Sequence, residues 1–407
     1  MKTKSARENP LLILSYIFIA SCIILPSGSI YSVNVKTILS ASLFLTAALL
    51  IAREKSSLFF VLTPIALANF LLFYFIIAIT NSTPTKDSLS QTVAILATFS
   101  SIYLPLYFFK RTENKQIGIF VAITYSFGFV CALKVVLEVL MLSGIGLVQA
   151  KDFLDEIFGV SFIGLDAGLF YRIHFPSDYL APVVLYALIN AKHFDIRIQP
   201  LPKAMLLSLT IISIILSYSR FLWAYSIITA LIAILTVSNV QKKFFVLAFI
   251  ATGILLFLPA FGEKLYSFIA TRYAGAYAES SDFTRHQMLD ALIDGIDAKP
   301  ILGWGLGSGA PGYTNIEQIP WYFEIQWLGL ALQFGLIGIL LILAILIVSL
   351  AIMLKGRVTP TKMGLVGVYL IWLSLGFFNG FMLTSVGGVI FLAFISLSAS
   401  PNPRQTY

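Results

Sequence analysis

Residues 326–354, QWLGLALQFGLIGILLILAILIVSLAIML, run without one charged side chain. Helix needs about 20 apolar residues to cross the hydrocarbon core of a bilayer, so this stretch reads as a membrane span. The rest of the chain agrees. Of 407 residues, 58% are hydrophobic and 11% charged, whereas a soluble domain carries about 25% charged residues. The composition excludes a soluble globule and predicts an integral membrane protein.

Further apolar runs fall near 11–27, 37–52, 58–80, 91–109, 116–141 and 177–191, then near 204–218, 221–238, 244–261, 363–378 and 381–398. With 326–354 they predict an all-α polytopic membrane protein of about twelve transmembrane helices, a single integral membrane domain over 1–407. The stretch IASC, ending at Cys22, resembles a lipoprotein cleavage box, but apolar residues resume after it and an uncleaved first helix is expected. Cys22 and Cys131 both lie in apolar runs, so neither a disulfide framework nor a thiolate metal site is expected. No zinc motif arises from His174, His193 and His286, and no metal or cofactor is expected.

With a cytoplasmic N-terminus, 17 of the 27 Lys and Arg residues fall in inside segments and nine in outside ones, with Lys134 inside a span. The positive-inside rule then places both termini in the cytoplasm. The net charge of +8 is a property of that face and implies no nucleic-acid partner. Two outside connections are long, 142–176 and 262–325. Loops of such length usually carry function, so the working site is expected there.

Within the larger loop, SDFTRHQMLDALIDGIDAKP (281–300) repeats apolar residues at helical spacing through Met288, Leu289, Leu292, Ile293 and Ile296. An amphipathic helix is predicted, capped at Asp282 or Thr284 and stopped by Gly295 and Pro300. Arg285 would then sit in its first turn, opposing the helix dipole, as suits a residue that meets an anion. The GWGLGSGAPGY that follows (303–313) comes after a surface helix rather than a strand, so a dinucleotide fingerprint is excluded. A backbone turn that lets the loop fold close against the bundle is preferred to a phosphate cradle.

Arg220 stands between two apolar runs almost without a loop, at or near hydrocarbon depth. An intramembrane cation is a functional candidate, with snorkelling to the interface as the alternative. Arg172 and Arg272, in the outer loops, are candidates to bind substrate or lipid headgroups. Lys134 and Glu138 have the i,i+4 spacing of an ion pair, and a self-neutralising pair is expected in preference to a proton path. His174 and His286 are alternative bases.

TRHQMLDALIDGIDAKPILGWGLGSGAPGY (284–313) followed by WYFEIQWLGLALQFGLIGILLIL (321–343) resembles the O-antigen ligase and polymerase superfamily of membrane glycosyltransferases. The shared features are an Arg opening an outer-face helix, the Pro300–Gly305 turn, a polar residue at the end of the loop, the helix opening LQFGLIG and the Ser219–Arg220 pair in SYSRFLWAY. Where ligases of this superfamily usually carry a His at the loop's end, this chain has Glu324, which favours a polymerase.

The resemblance implies a GT-C-like fold in a bacterial inner membrane, with the active site facing the periplasm or outside. It implies transfer of glycan from a polyprenyl-diphosphate donor to an acceptor hydroxyl, with membrane lipids and a chain-length regulator as further partners. Diphosphate needs cations and the hydroxyl benefits from a base. Arg220 and Arg285 suit the first task, and Glu324 the second, with a helix-start acid as its alternative. Arg172, Arg272, Trp321, Tyr322 and His286 are the expected substrate-binding residues. The competing readings are a ligase that moves finished glycan and, from another class, a lipid-linked sugar transporter or flippase.

Overall fold

The computed structural model describes residues 4–25, 29–30, 33–53, 58–109, 116–144, 149, 152, 171–236, 276–313, 319–378, 380 and 382–398. Five helices open the chain: α1 (Lys4–Ile24), α2 (Val35–Arg53), α3 (Leu58–Thr80), α4 (Thr85–Phe109) and α5 (Gln116–Leu142). A 3₁₀ turn (Pro176–Leu180) leads into α6 (Ala181–Ile189), followed by α7 (Pro200–Ser217) and α8 (Arg220–Thr236). After these come α9 (Ala276–Ala298), α10 (Gln326–Leu354), α11 (Pro360–Ser374) and α12 (Ser385–Ser398). The described β structure includes a two-residue hairpin, Ser29–Ile30 against Val33–Asn34, between α1 and α2.

The protein is thus an all-α polytopic membrane protein. Six helices among the described residues are long and apolar enough to cross a bilayer, and the apolar stretches Ile13–Ile24, Val35–Leu50, Pro176–Ile189, Arg220–Thr236 and Ser385–Ser398 are shorter. The expected span at 244–261 lies outside the described residues. Helix α1 runs unbroken through Cys22, which is buried.

Burial separates the helices into two kinds. α3 and α10 expose leucines and isoleucines along their length, as lipid-facing helices do. α6 and α12 are buried nearly all round and form the centre. A helix apolar on every face has no polar side to give to water, so the interior is its place. α12 packs against α4, α5 and α1, and α6 against α7 and α8. Small residues allow the close approach: a Cβ added at Gly388 would fall 2.0 Å from Ser101 Oγ on α4.

α10 is broken. Gly335 has φ 57° and ψ −167°, a conformation open to glycine at little cost. The ends of the break are satisfied by the loop that precedes the helix. Leu336 and Ile337 donate to the carbonyls of Pro300 and Ile301, while the carbonyls of Leu332 and Gln333 accept from Trp304 and Gly305. A backbone gap at membrane depth is tolerated only where other protein groups fill it.

Candidate functional site

GWGLGSGAPGY is the segment that fills it. Leu306 N–H donates to Tyr74 O on α3 and Gly307 N–H to the Gln91 side chain on α4. Gly303, Gly305 and Gly307 have φ of 69°, 92° and 80° and lie against the backbones of Gln333 and Gly335, of Ala78, and of Asp87 and Ser88. The amides of residues 303–307 are therefore spent on the protein, and over that stretch the loop is the backbone turn expected. Ser88 Oγ donates to Leu306 O, Asn81 Nδ2 to Trp304 O, and Thr83 and Ser308 pair through their hydroxyls, so the α3–α4 turn is bound to the same loop. Lys299 closes the junction, its Nζ 3.9 Å from the centre of the Trp304 ring and bonded to Asn81 Oδ1.

Helix α9 packs on this platform through Met288 and Leu292, against Ala310, Phe323 and Leu332. Two expectations about it need correction. The helix begins at Ala276 instead of at an Asp282 or Thr284 cap, so Arg285 lies in mid-helix and carries no first-turn dipole penalty. Gly295 does not stop the helix. It lies within it, where an added Cβ would come 2.4 Å from Leu332 Cδ1.

From α9, Arg285 Nε reaches Glu324 Oε2 at 2.8 Å, the two side chains being 33% and 45% exposed. Glu324 stands just before α10, whose N-cap position, Ile325, makes no side-chain cap bond. The pair is therefore held between α9 and the loop's end while remaining open to a ligand.

The second wall is a strap at 171–175. Tyr171 N–H donates to Glu138 Oε1 (3.0 Å), Arg172 Nε to Ser217 O (3.3 Å), Ile173 N–H to Leu216 O (2.9 Å) and Phe175 N–H to Asp178 Oδ2 (2.9 Å). Arg172 is buried at 8% exposure. Beside it α7 ends at Tyr218, in the left-handed region at φ 51° and ψ 36°, and α8 starts at Arg220. Ser219 closes this turn, its Oγ accepting from Leu222 N–H. Arg220 thus occupies the positive end of a helix, where the helix dipole and a guanidinium coincide.

Tyr179 links the two walls. Its phenol is buried beside Asp178 and lies within electrostatic reach of Arg172 and Glu324. Arg172 and Glu324 therefore both act on Tyr179 through their charge, and Arg285 is tied to Glu324. Burial, and then the Glu324 charge, raise the phenol of Tyr313 above its ordinary range.

Lys134 does not pair with Glu138 as its spacing suggested. Its Nζ lies 2.9 Å from both carboxylate oxygens of Asp178. His174 stands edge-on to Tyr179, with Nδ1 3.2 Å from Asp178 Oδ2. Burial holds its imidazole below the ordinary range, against the opposing pull of Asp178.

His286 is exposed on α9. Trp321 and Tyr322 are half-buried and line a cleft with Phe323, Gln91, Gln326 and Gln333. Arg272 lies outside the described residues. Among the described residues no three His, Cys, Asp or Glu side chains gather as a metal site would require. Asp178 and Tyr179 went unnoticed in the sequence, although Lys134 within an apolar run signals a buried partner.

Residues 205–343, about a third of the chain, match a family model described as O-antigen ligase. The matched segment begins within α7, ends within α10 and contains Arg220, Arg285 and Glu324. No curated protein matches the chain.

Proposed function

We propose that this chain polymerises polyprenyl-diphosphate-linked oligosaccharide repeat units at the extracytoplasmic face of a bacterial inner membrane, with both termini in the cytoplasm. The family match supports a membrane glycosyltransferase of the O-antigen ligase and polymerase type. The observation that carries the reading is the Arg285–Glu324 pair, a cation and a carboxylate at 2.8 Å and open to a ligand.

In the proposed step an acceptor sugar hydroxyl attacks the anomeric carbon of the donor. The new glycosidic bond forms as the bond to the diphosphate oxygen breaks. Glu324 takes the hydroxyl proton, and polyprenyl diphosphate departs as an anion. Arg285 and Arg220 stabilise the charge that gathers on that leaving group, each offering a planar fork to phosphate oxygens. Arg172 and Arg272 hold the donor's remaining charge, and Trp321, Tyr322 and His286 take the sugars. No metal has a part in this scheme. A chain-length regulator would act on the growing product from outside the site.

The family model's description favours a second reading, transfer of a finished glycan to another acceptor. One reconstitution separates them. Purified protein in liposomes, supplied with lipid-linked repeat units alone, is expected to give a ladder of longer chains. Product that forms only after a separate acceptor is added would establish the ligase instead, and movement of donor across the bilayer without new glycosidic bonds would establish a flippase.

A further inference from the structure

Lys134 of α5 and Asp178 of the 3₁₀ turn are both 0% exposed, and Nζ lies 2.9 Å from each carboxylate oxygen. Lys134 also donates to Ser213 O at 3.0 Å and to Ser213 Oγ at 3.1 Å, and Ser213 Oγ lies 3.2 Å from Asp178 Oδ1. Stability gives a poor account of such a pair. Desolvating each ion costs several kcal/mol, and a well-packed apolar pair of similar volume is often as stable or more so.

Geometry gives a better account. Asp178 is the acceptor for Phe175 N–H and the close neighbour of His174, so it anchors the C-terminal end of the strap that carries Arg172. Its chain neighbour Tyr179 packs edge-on to His174 and lies within electrostatic reach of Arg172 and Glu324. Through Lys134 and Ser213 the same carboxylate is fixed to α5 and α7, the helix that leads into the Ser219–Arg220 turn. One buried ion pair therefore ties together the elements that present Arg172, Tyr179 and Arg220.

We propose that the Lys134–Asp178 pair is a positioning element of the transfer site, holding the 171–175 strap and Tyr179 in register with the Ser219–Arg220 turn and Glu324. The inference rests on the reading of that site as a glycosyl-transfer centre. Neither residue touches substrate. Their effect is on the placement of groups that do, so it falls on turnover more than on donor affinity.

The test uses the full chain in lipid nanodiscs with lipid-linked donor, measuring kcat and KM for transfer beside the thermal unfolding midpoint. Lys134→Met and Asp178→Leu alone each strand a buried charge and should lower the midpoint. Together they should restore it to near the wild-type value, while kcat stays reduced by about tenfold or more, because Phe175 and His174 have lost their anchor. A double variant with both the midpoint and kcat of wild type would overturn the proposal. If the double variant does not fold, Asp178→Glu decides. It keeps the charge pair but shifts the carboxylate by one methylene, and it should leave KM unchanged while kcat falls. Full kcat in Asp178→Glu would reduce the pair to charge compensation and end the proposal. Arg285→Ala runs in parallel. If it turns over normally, the transfer-site reading fails and takes this inference with it. If it is inactive while the double variant or Asp178→Glu is fully active, only this inference fails.

Discussion

Arg285 Nε and Glu324 Oε2 lie 2.8 Å apart, joining the middle of helix α9 to the residue that ends the same loop before α10. The contact closes a long excursion of the chain at the point where the proposed leaving group and proton acceptor meet. Both side chains are about a third exposed or more, so the pair adds less than about 1 kcal/mol to stability. Changes here should therefore register in chemistry before they register in folding.

The arginines follow first. Arg220→Ala and Arg285→Ala should abolish transfer at normal protein level in the membrane. The Lys variants should recover only part of it, because an ammonium replaces a bidentate fork with a point charge. Transfer rates in membranes normalised for protein decide the matter. Full activity in both Ala variants would remove these residues from the site.

The glycine loop makes a contrast of two substitutions. In Gly305→Ala the new Cβ would lie 2.3 Å from Ala78 N, at φ 92°. Backbone strain and overpacking each cost about 1–3 kcal/mol, and neither can relax against a backbone atom. Gly312 also has positive φ, 73°, but nothing lies within 4 Å of its added Cβ, so Gly312→Ala bears the strain alone. Thermal unfolding in detergent should rank Gly305→Ala well below Gly312→Ala. Equal midpoints would mean that the loop is not inserted between α3 and α10.

His174 sets a pH dependence. Its ordinary value is 6.5, and burial lowers it in the folded state more than Asp178 raises it, with Arg172 and Lys134 adding to the depression. Below about pH 6.5 the unfolded chain takes up a proton that the folded chain refuses, so stability falls as pH falls. Above that value the residue is neutral in both states and contributes no slope. The difference between the unfolding midpoints of wild type and His174→Gln should therefore be constant above about pH 7 and change below about 6.5, with wild type losing more. A wild type that gained stability on acidification relative to the variant would reverse the sign and refute the account.

Orientation rests on the distribution of cations. Tags after residues 86, 160 and 310 should react with impermeant reagents from outside, and tags near 113, 198 and 358 should not. The α3–α4 turn and the glycine loop are bound to each other, so positions 86 and 310 must label together. Labelling at 310 only after lysis would place the site in the cytoplasm and remove the proposed donor from reach.

The spans were legible because lipid imposes one rule on every residue that faces it, and runs such as 58–80 and 326–354 satisfy that rule without reference to the rest of the chain. The glycines were legible as a close-packing turn for a similar local reason. The break at Gly335 was not, since its hydrogen-bond partners, Pro300 and Ile301, come from another part of the chain. Lys134 misled for the same cause. The spacing to Glu138 is visible in a line of sequence, whereas Asp178 becomes its partner only after α5, the strap and α7 have packed. Arg285 and Glu324 entered one expected site through the family resemblance, and the start of α9 at Ala276 shows that the cap signals at Asp282 and Thr284 do not set its beginning.

Glu324 carries the decisive prediction. Its carboxylate meets Arg285 and α10 has no side-chain bond at its N-cap, so the alternative of a helix-start acid rests on the helix dipole alone. The glutamine variant keeps shape and one acceptor oxygen but cannot take a proton. If Glu324 is the general base, Glu324→Gln should lower transfer by about 10² to 10⁴, the range for removal of such a group. The unfolding midpoint should hardly move, since the exposed ion pair adds so little to stability. Donor binding should persist, because Arg220 and Arg172 remain in place. Glu324→Asp keeps the base but draws it back by one methylene, and it should retain more activity than Gln. The measurement is the chain-length distribution on a gel, with membrane protein level and donor binding controlled. A normal ladder from Glu324→Gln would end the assignment of Glu324 as the base and leave the Arg285 contact as a structural tie between α9 and α10.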